Sequence, residues 1–115
     1  MVSTVEDQQL DALFTALSDR TRRDIVARLS TGEATVKELA KPYPMSMQAV
    51  SQHIRVLERS GLISQGRHRQ TRPCRLEPAA LEAALSWIEE SRRTWSDRMD
   101  RLETHLARLQ EHEDQ

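Results

Sequence analysis

Apolar positions along this chain recur mostly with a helical period. The segment from Ser46 to Ile63 carries the sharpest pattern. Met47, Val50, Ile54 and Leu57 recur at intervals of three, four and three, so they form one stripe of a 3.6-residue helix that can be buried. Gln48, Ser51, Gln52 and Arg55 fall elsewhere on the same cylinder. Ser46 suits the N-cap and Gly61 the C′ position, which gives this helix a start and a stop.

Upstream, Leu10, Leu13, Phe14 and Leu17 mark a first helix. Asp19 can cap a second, with Ile25, Val26 and Leu29 facing inward and Gly32 at its end. Thr35 and Glu38 form a T-x-x-E capping box that starts a short third helix with Val36, Leu39 and Ala40 on its apolar side. Lys41-Pro-Tyr-Pro44 breaks that helix, because proline lacks the amide donor and restricts the residue before it. Helix, short turn, helix is the arrangement that sets a second helix into a DNA groove.

After Gly61 the period changes. Leu62 to Gln65 and Thr71 to Leu76 read as two short strands around a basic turn, Gly66 to Gln70, and together they predict a two-stranded wing. Pro73 cannot donate to a ladder, so its strand is expected to be an edge or bulged there. Arg67, His68, Arg69 and Arg72 cluster near the expected tip, where they can meet phosphates or enter a minor groove.

Pro78 suits a helix N1 position, and neither proline nor glycine follows it. One helix of about 32 residues, roughly 48 Å long, is predicted. Alternate steps of four and three from Leu81 reach Leu85, Ile88, Arg92, Trp95, Met99, Leu102, Leu106 and Leu109, so eight of nine seam positions are apolar. Such a heptad seam, with Arg and Glu around it, predicts packing against a second copy or back onto the first helix. Leu10, Phe14, Trp95, Met99, Leu102, Leu106 and Leu109 are the candidate dimerisation residues. Arg92 interrupts the seam as a register device or as the point where the helix leaves the core.

The fold class that follows is mainly α with a small two-stranded β-wing, a winged helix-turn-helix with a long C-terminal dimerisation helix. Residues 1–78 are assigned to a DNA-binding domain, whose first helix also joins the dimer interface, and 79–115 to the dimerisation helix. A length of 115 residues fits one such unit.

The formal charge of −1 hides a segregation. Residues 35 to 75 carry eight Lys or Arg against two acids, net +6; residues 1 to 34 carry four against six, net −2; residues 76 to 115 carry five against ten, net −5. Cations concentrated on the segment that holds the polar-faced helix suit a polyanion. Amides, hydroxyls and a guanidinium at Gln48, Ser51, Gln52 and Arg55 are the chemistry that base edges and phosphates accept in a major groove. The candidate DNA-binding set is Ser46, Gln48, Ser51, Gln52, His53, Arg55, Arg67, Arg69 and Arg72.

Four separated stretches resemble the ArsR family of winged-helix repressors. They are Leu13-Phe-Thr-Ala-Leu-Ser-Asp-Arg-Thr-Arg-Arg-Asp-Ile-Val26, Val36-Lys-Glu-Leu-Ala40, Ala49-Val-Ser-Gln-His-Ile-Arg-Val-Leu-Glu-Arg-Ser-Gly-Leu-Ile63, and the wing ending Pro73-Cys-Arg-Leu76. The resemblance implies a homodimer that binds an inverted-repeat operator on double-stranded DNA and is released by a ligand or metal. His53 resembles the family's histidine on that helix, where it donates to a phosphate or base or packs against the turn. The long last helix with Trp87 and Trp95 is similar to a subgroup without the usual metal-ligand cysteines, often encoded beside small ligand-cavity proteins.

The family's thiolate site falls near Glu38-Leu-Ala-Lys-Pro42, which holds no cysteine. His105 and His112, with Glu103, Glu111 and Glu113, are the other candidates, but seven residues separate the two imidazoles by about 10 Å of rise, too far for one ion on one helix. No metal or cofactor is therefore expected within one chain, and a site shared across a dimer stays open. Cys74 reads as a small strand residue rather than a redox sensor. No phosphate-cradling glycine loop, H-E-x-x-H or nucleophile elbow is present, so no enzyme is expected. With no apolar run long enough to span a bilayer and no secretory pattern, a cytoplasmic protein is expected. Two alternatives stand beside the repressor: a metal-responsive regulator of the same fold, and a coiled-coil interaction module without DNA binding. A protein-docking surface favours exposed aromatics, yet Tyr43 is the only aromatic between Phe14 and Trp87.

Overall fold

The computed structural model describes residues 4–66 and 72–113. Five helices and two strands follow in the order α1 (Val5–Leu17), α2 (Arg20–Leu29), α3 (Val36–Ala40), α4 (Met47–Arg59), β1 (Ile63–Gln65), β2 (Cys74–Leu76) and α5 (Pro78–Glu113). They divide into two compact units, one up to Ala84 and one from Leu85 onward. This is a mainly helical winged helix-turn-helix with a two-stranded wing and a long last helix.

Four helices begin on side-chain caps that satisfy otherwise orphaned amides. Asp19 accepts from the Arg22 amide at 3.0 Å, Ser46 accepts from the Ala49 amide at 3.1 Å, and Thr35 and Glu38 close a reciprocal box. A second box, Thr4 with Asp7, starts α1 and has the same chemistry with aspartate in place of glutamate. α4 ends in a Schellman turn: the Leu62 amide bonds to the Leu57 carbonyl at 3.2 Å and the Gly61 amide to Glu58 at 3.1 Å. Gly61 sits there at φ 86°, a conformation that suits glycine, and Leu62 behind it is fully buried.

The core of the first unit is built from the predicted stripes. Leu13 of α1, Ile25 of α2, Leu39 of α3, and Val50, Ile54 and Leu57 of α4 are essentially inaccessible. Burying a leucine-sized side chain contributes roughly 1.5–3 kcal/mol, so each of these six adds substantially to the unit's stability. Met47 does not join them: it is 48% exposed, because it occupies the first turn of α4, beyond the edge of the packed stripe. At the other end, Ala80 and Ala84 of α5 are buried one turn apart.

Arg28 ties the helix-turn-helix to α2. Its guanidinium donates to the carbonyls of Leu39 at 2.9 Å and Glu38 at 3.2 Å, capping α3, and lies 5.6 Å from the centre of the Tyr43 ring. The Tyr43 hydroxyl in turn donates to Asp24. Burial and that carboxylate hold the Tyr43 phenol above its ordinary pKa. The turn between α3 and α4 is thus pinned from one side by a cation, an aromatic face and an acid.

The wing strands pair antiparallel with Ile63 opposite Leu76, Ser64 opposite Arg75 and Gln65 opposite Cys74. The second strand is shorter than the expected Thr71 to Leu76. It starts at Cys74, so Pro73 lies outside the strand rather than within it, where its missing amide breaks no ladder bond. β2 has a second neighbour the pattern did not predict. Ala34 bridges Cys74 on its other side, with the Cys74 amide 2.7 Å from the Ala34 carbonyl and the Ala34 amide 3.1 Å from the Cys74 carbonyl. α5 is longer than expected, 36 residues.

Candidate nucleic-acid interface

Burial of Val50, Ile54 and Leu57 fixes which way α4 faces, and the opposite side is left to solvent. Gln48, Gln52 and Arg55 are exposed there, and Ser51 is half-buried at its margin. One turn of helix brings Arg55 to Gln52, whose Oε1 accepts from the guanidinium at 3.0 Å. That bond leaves the Gln52 amide nitrogen and the other guanidinium donors available. Ser46 uses an oxygen lone pair for its cap, so its hydroxyl proton is free to donate.

His53 lies differently from its neighbours. It is half-buried, and its Nδ1 faces back toward α2, 3.2 Å from the Arg22 guanidinium and 3.7 Å from Asp19. With Arg22 donating to it, Nδ1 is the acceptor and the ring proton sits on Nε2. Arg22 also donates to the carbonyls of Ala16 at 2.7 Å and Thr15 at 3.0 Å, and Arg23 donates to Leu17 at 2.8 Å. α1 has no basic residue in its last turn, so these two α2 arginines serve its C-terminal carbonyls instead. The Arg22 backbone amide, with the Arg22 charge adding to it, holds the Asp19 carboxyl below its ordinary pKa, although partial burial opposes this. Sequence spacing could have found the Asp19 cap. It could not have found Arg22, whose partners lie on two other helices.

The basic character of residues 35–75 survives in three dimensions. Among the described residues, Lys37, Lys41, Arg55, Arg59 and Arg72 are exposed and form no ion pair, whereas Arg75 is engaged with Glu77 at 3.4 Å. Ser64 donates to the same Glu77 carboxylate at 2.5 Å, and these partners hold that carboxyl below its ordinary pKa. At the base of the wing the Gly66 amide donates to the Pro73 carbonyl at 2.8 Å. Arg72 follows with a positive φ of 26°. Arg67, His68 and Arg69 lie outside the described residues.

Cys74 is inaccessible, and burial pushes its thiol up to about 11. A neutral thiol in that setting is a poor nucleophile and a poor metal ligand. Among the described residues no group of three His, Cys, Asp or Glu side chains is assembled to hold a metal ion. Nor is any helix there long and apolar enough to cross a membrane.

The candidate dimerisation residues fall into two groups. On α1, Leu10 packs half-buried against the core and Phe14 is 37% exposed. On α5, Trp95, Leu102, Leu106 and Leu109 are exposed to between 48% and 63%, and Met99 is half-buried.

Residues 17–65 match the family model described as a helix-turn-helix domain. The chain is 42% identical over 73 residues to the HTH-type transcriptional regulator Rv2034 of Mycobacterium tuberculosis, covering 64% of this chain and 68% of that one. It is 29% identical over 79 residues to the transcriptional repressor SdpR of Bacillus subtilis, covering 69% and 88%. A crystal structure of an ArsR family transcriptional regulator superposes with a TM-score of 0.75 at 38% identity, covering 84% of this chain and 97% of that one. The homodimeric winged helix-turn-helix domain Mb0332 of Mycobacterium bovis shares the fold, with a TM-score of 0.60 at 24% identity over 76% and 82% of the two chains.

Proposed function

Because this chain belongs to the ArsR family of helix-turn-helix transcriptional regulators, whose members act on transcription and not as enzymes, we propose that it is a homodimeric repressor occluding a promoter at an inverted-repeat operator. The observation that carries the reading is the outward face of α4. It exposes Gln48, Gln52 and Arg55 on a helix whose other side is locked into the core, within a segment of net charge +6. The domain that reads DNA is residues 1–78, and 79–115 form the dimerisation helix.

Two copies set two α4 helices into successive major grooves about 34 Å apart. Gln48, Ser51, Gln52 and Arg55 contact base edges, Ser46 donates to a phosphate near the helix start, and Arg67, Arg69 and Arg72 hold the flanking backbone. His53 contributes through its Nε2 proton, since Nδ1 is committed to Arg22. Leu10 and Phe14 on α1, with Trp95, Met99, Leu102, Leu106 and Leu109 on α5, supply the contacts between copies. A homodimeric relative of the same fold and a relative described as a repressor support this reading.

The chain belongs on this reading to the subgroup without metal-ligand cysteines, and no ion bound within one chain controls it. Cys74, the chain's single cysteine, favours that assignment, because it is buried and belongs to no cluster of metal-ligating side chains among the described residues. Selection of genomic fragments by the purified protein, repeated with EDTA and with added zinc or nickel, tests it. One palindromic sequence recovered alike in all conditions is the expected result. Recovery lost on adding metal would make it a metal-responsive regulator. Recovery of no preferred sequence would leave operator occlusion without support.

A further inference from the structure

Arg92 is the one charged residue in the seam from Leu81 to Leu109, and it stands three positions before Trp95. From Leu85 onward the seam is open to water: Leu85, Ile88, Trp95, Leu102 and Leu106 are each 46–63% exposed. We infer that this face takes the same face of a second copy running antiparallel, with Arg92 of each copy laid over the indole of Trp95 of the other. The inference rests on the homodimer proposed above and specifies its direction, register and central contact.

Heptad geometry leaves few arrangements. A parallel, in-register pair sets Arg92 against Arg92 and Trp95 against Trp95, facing two like charges across a desolvated seam and crowding two indoles into one layer. An antiparallel pair with its twofold axis at the level of Arg93 and Thr94 sets Leu85 against Leu102, Ile88 against Met99 and Arg92 against Trp95. Sliding that pair by one heptad puts Arg92 against Leu102 in one direction and Ile88 in the other, so a guanidinium is covered by aliphatic carbon with no counterpart. Only the first antiparallel register gives the cation an aromatic face.

The side chain is prepared for that contact. Glu89 Oε2 holds one edge of the Arg92 guanidinium at 2.7 Å, and an edge-on hydrogen bond leaves both faces of the planar group open for stacking. One feature favours the parallel alternative, in which Arg98 of one copy approaches Glu103 of the other. That pair lies on the solvated rim, where ion pairs are weak and screened, and it does not outweigh two facing charges in the seam.

The test uses the full chain with Cys74→Ser, so that each added thiol is the only one present. Ile88→Cys and Met99→Cys versions are checked for dimerisation by sedimentation, then treated with a short bifunctional maleimide singly and after mixing. Cross-linking only in the mixture is expected, because in this register Ile88 of the two copies are eleven residues of rise apart, roughly 16 Å. A cross-link from Ile88→Cys alone means a parallel pair and overturns the inference while leaving the homodimer standing. A dimer that gives no cross-link in any sample also overturns it, since the seam is then not the interface. A monomer on sedimentation removes the homodimer as well. Independently, Arg92→Gln and Trp95→Leu should each raise the dimer dissociation constant roughly tenfold, with the double variant little worse than either single one. Fully additive effects would mean that the two side chains do not touch.

Discussion

The guanidinium of Arg22 lies 3.2 Å from Nδ1 of His53, so the start of α2 and the middle of α4 share a hydrogen bond across 31 residues of sequence. The same guanidinium serves the carbonyls of Thr15 and Ala16. A single side chain therefore joins three helices, and the orientation of α4 depends in part on a residue outside the helix-turn-helix.

Arg22→Ala removes these bonds together and takes the guanidinium from the partly buried carbonyl of Ala16, while the exposed carbonyl of Thr15 keeps the Ser18 amide and hydroxyl as donors. A loss of about 1–3 kcal/mol in unfolding free energy is expected from urea titration. Arg22→Lys should recover little of it, because an ammonium cannot span three acceptors placed around a planar fork. Full recovery by lysine would mean that charge alone matters at this position.

Asp19 makes stability depend on acid. Its carboxyl titrates lower in the folded chain than in the unfolded one, so its contribution is complete above the unfolded value, about 3.9, and disappears as pH falls through the folded value. Glu38 and Glu77 are shifted in the same direction and act in the same window. Urea midpoints measured from pH 7 down to 2 should be level at first and then fall. Asp19→Ala should lower the plateau by about 1 kcal/mol through the lost cap and make the acid limb shallower.

Substitutions on α4 and on the wing should separate by the kind of binding they impair. Gln52→Ala and Arg55→Ala are expected to reduce discrimination between operator and random duplex, each by about 1–3 kcal/mol. Arg69→Ala should weaken both kinds of DNA alike and flatten the salt dependence. For a dimer that neutralises about 6 phosphates, a roughly thousandfold loss of affinity is expected between 50 and 200 mM salt. Fluorescence anisotropy against two duplexes at several salt concentrations reads all three effects.

Cys74 should be silent toward thiol reagents in the folded protein. It is inaccessible and its thiol is pushed up to about 11, so maleimide labelling at pH 8 is expected only once urea unfolds the first unit. Rapid labelling of the native chain, followed by mass spectrometry, would contradict the burial of β2.

The parts of this fold that were legible in the sequence are those in which cause and effect lie within a few residues. Val50, Ile54 and Leu57 announced their buried stripe by spacing, Thr35 and Glu38 their box, Asp19 its cap and Gly61 its turn. Met47 belonged to the same period yet stayed exposed, because periodicity assigns a face but not how far the covering elements reach. Arg22 with His53, Arg28 with Leu39 and Ala34 with Cys74 join residues 11 to 40 positions apart, and no local pattern encodes such a pairing. On the interface itself, the exposure of Gln48, Gln52 and Arg55 followed from the burial of their neighbours. The inward turn of His53 did not, since it depends on an arginine from another helix.

The bridge between Ala34 and Cys74 closes the chain into a ring. Everything from the entrance of α3 to the far strand of the wing is enclosed by two backbone hydrogen bonds, one from each residue. A ring opened at one point remains a single connected object. A protease that cuts between Gly66 and Arg72 would therefore leave two fragments still paired through Ala34 and Cys74, with the helix-turn-helix covalently whole in the first and the far strand of the wing in the second.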